Sequence, residues 1–185
     1  MKQFLGSMYE ILEVVAISLL TVFIIRTYLM QPFLVSGASM DPAFSNGNYL
    51  IIDELSYRFR NPVRGEVIVF KYPGDKKTFY IKRVIGLPEE RIVVSDGKVK
   101  IYNQENSEGF ILDEPYLESN IQTLGNSDMT LGKDDYFVLG DNRDHSFDSR
   151  NWGSVDKDAI IGITRVRLLP ITKVGLFDAP QYNNQ

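Results

Sequence analysis

The sequence contains no cysteine, which removes disulfide cross-links, thiolate metal sites and cysteine nucleophiles from consideration. It has a single histidine, His145, so a multi-histidine zinc site is excluded as well. Nothing in the residue pattern calls for a metal or an organic cofactor. Positive charge is also in short supply. Twenty Lys and Arg stand against 24 Asp and Glu, and a net charge of -4 gives a nucleic-acid partner no electrostatic support. Internal repeats and low-complexity tracts are missing, and past residue 30 so is any long amphipathic helix. The 185 residues, 44% hydrophobic and 24% charged, suit one folded domain plus an anchor.

Val14 to Ile25 reads VVAISLLTVFII without a charge. Twelve residues are too few to span a bilayer, but Ile11 to Met30 gives twenty, or about 30 Å of helix at ~1.5 Å per residue. Glu13 and Arg26 then fall near opposite ends, where the arginine can snorkel to the interface, and Pro32 stops the helix. Residues 1–30 are therefore expected to form one transmembrane helix in a lipid bilayer. Two other readings compete. Ser36 and Ala38 form the small-x-small pair of a cleavable leader, but they lie far beyond the apolar run and Arg26 follows it directly. A buried soluble helix would show a polar stripe, and this run has none. Lys2 argues for an N-terminus on the cytoplasmic side, and Arg26 offsets it.

Past Met30 the chain breaks into short β-type runs separated by Gly, Pro, Asn and Asp. Strands are expected at 49–52, 66–70, 79–85, 91–94, 98–102, 136–139 and 160–168, with Asp96-Gly97 as a hairpin turn. The fold class is mainly β: an antiparallel sheet or barrel-like domain over 31–185, preceded by the helix. Residues 105–133 are polar and read as an insert, and the tail after Pro180 as frayed.

Three runs carry chemistry. In SGASMDP, Gly37 permits a tight turn and Pro42 fixes its exit, so Ser39 can present its hydroxyl and its own N–H to a carbonyl. In YIKRVIG, strand alternation puts Tyr80, Lys82 and Val84 on one face and Ile81, Arg83 and Ile85 on the other. Each motif alone has a plain structural reading, as a turn serine and a snorkelling lysine. A lysine that serves as a base must be neutral. Bringing its pKa from ~10.4 to ~7–8 costs about 4 kcal/mol, which burial on an apolar strand face can supply. In GDNRDHSFDSR, Asp141, Arg143, Asp144, Asp148 and Arg150 can interlock, and Ser146 can aim a neutral amine. His145, beside charged loop residues, reads as a surface group.

In order along the chain, the apolar segment, SGASMDP, GEVIVF (65–70), YIKRVIGLP, GDNRDHSFDSR and Trp152-Gly153 resemble the bacterial type I signal peptidases, membrane-anchored serine proteases. The resemblance implies a largely antiparallel β fold on the extracytoplasmic face of the cell membrane. It implies secretory preproteins as substrates, cut after small side chains in an Ala-x-Ala pattern. It assigns Ser39 as nucleophile, Lys82 as general base, Ser146 as the hydroxyl that orients the lysine, and Asp148 with Arg83 or Arg150 as a supporting ion pair. Val35, Met40, Phe44, Tyr80 and Ile81 correspond to walls of narrow substrate pockets. The pattern is departed from in places. Gly37 stands where some members carry a serine hydroxyl for the oxyanion, Ala43 replaces threonine, Asn48 replaces aspartate, Glu89-Glu90 replaces Gly-Asp, and His145 replaces asparagine. Two rival readings remain: a Ser–Lys self-cleaving repressor-type protease, which would need a helix-turn-helix, and an inactive membrane-anchored assembly factor of the same fold.

Overall fold

The computed structural model describes residues 2–28, 30–180 and 182. Helix α1 runs Lys2–Tyr28, and strand β1, Met30–Leu34, follows after one residue. β1 carries Pro32, and the sequence reading missed it for that reason. It is an edge strand, paired among the described residues only with β2 (Tyr49–Asp53), where a missing N–H is tolerated. β3 is Val67–Tyr72 and β4 is Asp75–Gly86, longer at its start than expected. β5 (Arg91–Ser95) and β6 (Lys98–Tyr102) form the expected hairpin. Asp96 and Gly97 both take positive φ, 52° and 74°, as a tight primed turn requires.

Residues 105–133 contribute β7 (Phe110–Ile111) and β8 (Ser127–Thr130), too short to show alternation. They flank the hairpin in a four-stranded sheet of order β7-β6-β5-β8, and Leu112, Thr123 and Leu131 from the same stretch are buried. β9 (Asp135–Leu139), the four-residue helix α2 (Ser149–Trp152), β10 (Val155–Asp156), β11 (Ile160–Leu169) and β12 (Gly175–Leu176) complete the chain. The larger sheet has the order β1-β2-β11-β3-β4-β9-β10, with β12 pairing β11, and every pairing in both sheets is antiparallel. Past α1 the described residues hold no α-helix longer than α2, which leaves a helix-turn-helix no place.

β3 explains how the large sheet is filled. Its VIVF run is apolar without alternation because both faces are covered. Val67 and Val69 join Val35, Met40, Phe44, Leu50 and Ile52 on one side, while Ile68 and Phe70 join Val84, Tyr136, Val138 and Val155 on the other. A third cluster, including Ile85, Ile92, Ile101, Phe137 and Leu139, ties the small sheet to the end of the large one.

Among the described residues no helix is long and apolar enough to cross a membrane. The described side chains of α1 cover 7–23, and all of them are exposed. The side chains of Lys2 and Arg26, on which the interfacial reading rests, lie outside the described residues, as do residues 181 and 183–185 of the tail expected to fray. Tyr182 is not free: it is half-buried and packed on the third cluster.

Candidate active site

Ser39 lies on the turn leaving β1. The Asp41 N–H donates to Ala38 O and the Phe44 N–H to Met40 O, so the segment folds back on itself immediately past the serine. Lys82 occupies the middle of β4, opposite Ile68 on β3, and is only 4% exposed. Its Nζ lies 2.7 Å from Ser39 Oγ and 2.9 Å from Ile81 O, over the Tyr80 ring at 5.3 Å. Burial pushes the Lys82 amine down to about 8, against the opposing pull of the Asp148 and Asp141 carboxylates. A lysine amine in that range exchanges a proton with a hydroxyl at hydrogen-bond distance, which is what activating a serine needs.

The loop after β9 locks this pair in place. Arg83 projects to the opposite face of β4 from Lys82. It forms a two-pronged pair with Asp141 at 2.8 and 2.6 Å, donates to Gly65 O at 2.8 Å and stacks on Tyr116 at 4.0 Å. Asp148, fully buried, takes Arg150 as its partner at 2.8 and 2.9 Å and accepts the Gly140 N–H at 3.1 Å. The two arginines thus serve different carboxylates. Arg143 pairs with Glu114 from the polar stretch, while Asp144 is exposed. Buried pairs of this kind fix geometry more than they stabilise a fold. The loop is also stitched to the serine turn: the Asn142 N–H donates to Ser39 O and its Nδ2 to Ala38 O, both at 3.1 Å. Gly140 sits so close to Ser39 O and to the Ser146 side chain that a Cβ there would collide with both. Ser146 Oγ is buried with no hydrogen-bond partner among the described residues, so the expected bond to Lys82 is not formed.

An open groove of about 320 Å³ runs past the pair. Of the expected wall residues, Val35, Tyr80 and Ile81 line it, whereas Met40 and Phe44 lie behind it in the core at 1% and 0% exposure. Leu50, Val69, Phe79 and Phe147 are walls that sequence reasoning missed. Which side chain faces the groove depends on how the turn and β2 cross the sheet, and alternation does not report that. Gly37 also lines it, with φ 101° and its N–H donated to Asn46 Oδ1 at 3.0 Å. His145 is exposed on the rim, its Nδ1 3.3 Å from Asn142 Oδ1. The Glu89-Glu90 departure is accommodated locally. Glu89 takes a positive φ of 67°, and the buried Glu90 accepts the Leu87 N–H at 2.8 Å and pairs with Arg64 at 2.6 Å.

Comparison with known proteins adds a sequence relationship. The family described as signal peptidase, peptidase S26, matches residues 8–169. The chain is 37% identical to "Probable signal peptidase I-2" of Synechocystis sp. over 82% of this chain and 69% of that protein. It is 33% identical to "Signal peptidase I P" of Bacillus subtilis subsp. natto over 88% of this chain and 90% of that protein. A solved signal peptidase I from Enterococcus faecalis V583 overlaps 56% of this chain and 97% of its own, at 29% identity and a TM-score of 0.47.

Proposed function

The chain belongs to the signal peptidase family, peptidase S26, and from that premise we propose that it is a membrane-anchored endopeptidase which removes signal peptides by Ser39–Lys82 catalysis. The observation that carries the mechanism is the 2.7 Å approach of Lys82 Nζ to Ser39 Oγ with the amine buried. Neutral Lys82 takes the hydroxyl proton as Ser39 Oγ attacks the scissile carbonyl. The Ser39 N–H faces the developing oxyanion, and the lysine returns the proton to the leaving amine. The mature protein departs with that amine; water then gives a proton to Lys82, attacks the ester and releases the signal peptide, and Lys82 returns the proton to Ser39. Asp148–Arg150 and Arg83–Asp141 hold the loop and the strand, and Ser146 stands behind the serine turn. The groove walls Val35, Ile81, Leu50 and Val69 suit a small apolar side chain before the cut, since larger ones clash.

The pH dependence tests the base. Protonated Lys82 cannot accept the serine proton, so activity is lost as pH falls through about 8. Cleavage of a detergent-solubilised secretory precursor should rise about tenfold per pH unit up to that point and level off above it. A rate that stays flat down to pH 6 would remove Lys82 from this role.

The anchor reading rests on α1. Ile11, Leu12, Val14, Val15, Ile17, Leu19, Leu20 and Val22 are between 50% and 67% exposed, on every side of the helix, and none belongs to a core cluster among the described residues. Ser18 and Thr21 return their hydroxyls to Val14 O and Ile17 O, which leaves those groups satisfied in lipid. The catalytic domain is proposed to lie on the extracytoplasmic side, residues 1–30 forming the anchor and 31–185 the peptidase. Alkaline extraction of membranes should leave the protein in the pellet; recovery in the supernatant contradicts the anchor.

A further inference from the structure

We propose that the segment following β12, the described residues Phe177 to Pro180 with Tyr182, is a strap that positions both members of the dyad from behind. It lies beyond the residues matched by the family description, which stop at 169. Its first residue braces the serine side. The Phe177 ring packs on the Phe44 ring with centroids 4.5 Å apart, and Phe44 is hydrogen-bonded to Met40, the residue after Ser39. The Phe177 N–H donates to Arg165 O at 2.9 Å, and the Arg167 guanidinium covers the outer face of the ring at 4.9 Å while donating to Ala43 O at 2.7 Å. Phe44 is therefore gripped from the ring side and the backbone side together.

The far end of the segment braces the lysine side. Pro180 and the Tyr182 ring lie directly on Gly65, whose φ of 86° and missing side chain leave them room; any Cβ there would meet them at 2.7–2.8 Å. Gly65 O is the acceptor for Arg83, and Arg83 is the neighbour of Lys82 on β4. Between the two ends a cavity of about 250 Å³, walled by Phe44, Arg83, Tyr116, Phe177 and Pro180, leaves the middle of the strap in loose contact. The two anchor points bear on Phe44 and Gly65 and neither touches the groove, so the segment works through other residues and is not catalytic.

The inference rests on the Ser39–Lys82 reading. The test compares the full chain with one ending at Leu176 in precursor cleavage. Displacing a reacting atom by about 1 Å costs up to ~100-fold. The shortened chain should lose about tenfold to a hundredfold in kcat with KM within about twofold. Synthetic FDAPQY peptide added in trans should restore the rate, and a scrambled peptide should not. Should the shortened chain fail to fold, Phe177→Ala and Tyr182→Ala replace it, with Phe177→Leu expected to recover most of the kcat. Folded strap variants with unchanged kcat, or losses that only follow the fraction unfolded by circular dichroism, overturn the strap. Ser39→Ala is run alongside. Cutting by that variant refutes the dyad, while an inactive Ser39→Ala beside fully active strap variants refutes the strap alone.

Discussion

Replacing Lys82 by methionine is expected to abolish precursor cleavage while making the folded protein more stable at pH 7. The two effects have one cause. The folded amine sits at about 8, against 10.5 for an ordinary lysine, because it is buried. Below about pH 8 the amine is protonated in both folded and unfolded chains, and the fold bears the full cost of burying the charge. Between about 8 and 10.5 the unfolded chain holds a proton that the folded chain lacks. Stability therefore rises with pH across that window, by roughly 3 kcal/mol at ~1.4 kcal/mol per pH unit. Methionine has a similar shape and no charge, so Lys82→Met should show higher stability to urea at pH 7 and lack the wild-type gain between pH 8 and 10.5. Its rate should fall to background, as should that of Ser39→Ala, because neither retains a base and nucleophile in contact. A Lys82→Met variant that still cuts at a measurable fraction of the wild-type rate would sink the proposed base.

The second large effect is structural. Asp141 and Arg83 are 1% and 7% exposed at the side chain and joined by two hydrogen bonds, so Asp141→Ala strands a guanidinium in the interior. Removing one partner of such a pair costs about 3–5 kcal/mol, a large part of the ~5–15 kcal/mol that folds a typical domain. Urea unfolding should show the loss directly. The milder Asp141→Asn carries a further signature. The Asp141 carboxylate favours protonated Lys82, so its neutralisation should move the acid limb of the rate profile to lower pH. Unchanged urea stability in Asp141→Ala would mean that the pair is not bearing on the fold.

The pair also shows what could be read from the residues and what could not. Arg83 and Asp141 were both visible as members of charged runs, but 58 residues separate them in sequence. What joins them is register. Arg83 on β4 stands opposite Leu139 on β9, two positions before Asp141, so the aspartate emerges from its strand beside the arginine. Only the pairing of β4 with β9, which no local pattern states, chooses Asp141 over Asp148 as the partner. The strands themselves were legible where alternation or a dense apolar run spans five residues or more, as in β3, β5 and β6. They were illegible where only two to four residues are held in place by a neighbour, as in β7 and β8. Ser39 and Lys82 could be paired from their motifs because chemistry restricts residue type, and the structure brings their side chains to 2.7 Å. The groove walls could not, because Met40, Phe44, Leu50 and Val69 are all buried in one cluster, and only their placement around the serine turn decides that Leu50 and Val69 border the groove while Met40 and Phe44 lie behind it.

The junction between α1 and β1 has a consequence for substrate choice. One residue separates the helix from the strand whose end leads into the groove, and Ser39 is eleven positions beyond Tyr28. At ~3.3 Å per residue, even a fully extended chain places the nucleophile no more than about 36 Å from the helix end. On the proposed anchoring, with the helix seated in the bilayer, the protein is a ruler with a fixed zero. A scissile bond is reachable only when the leader that carries it ends within that height of the lipid.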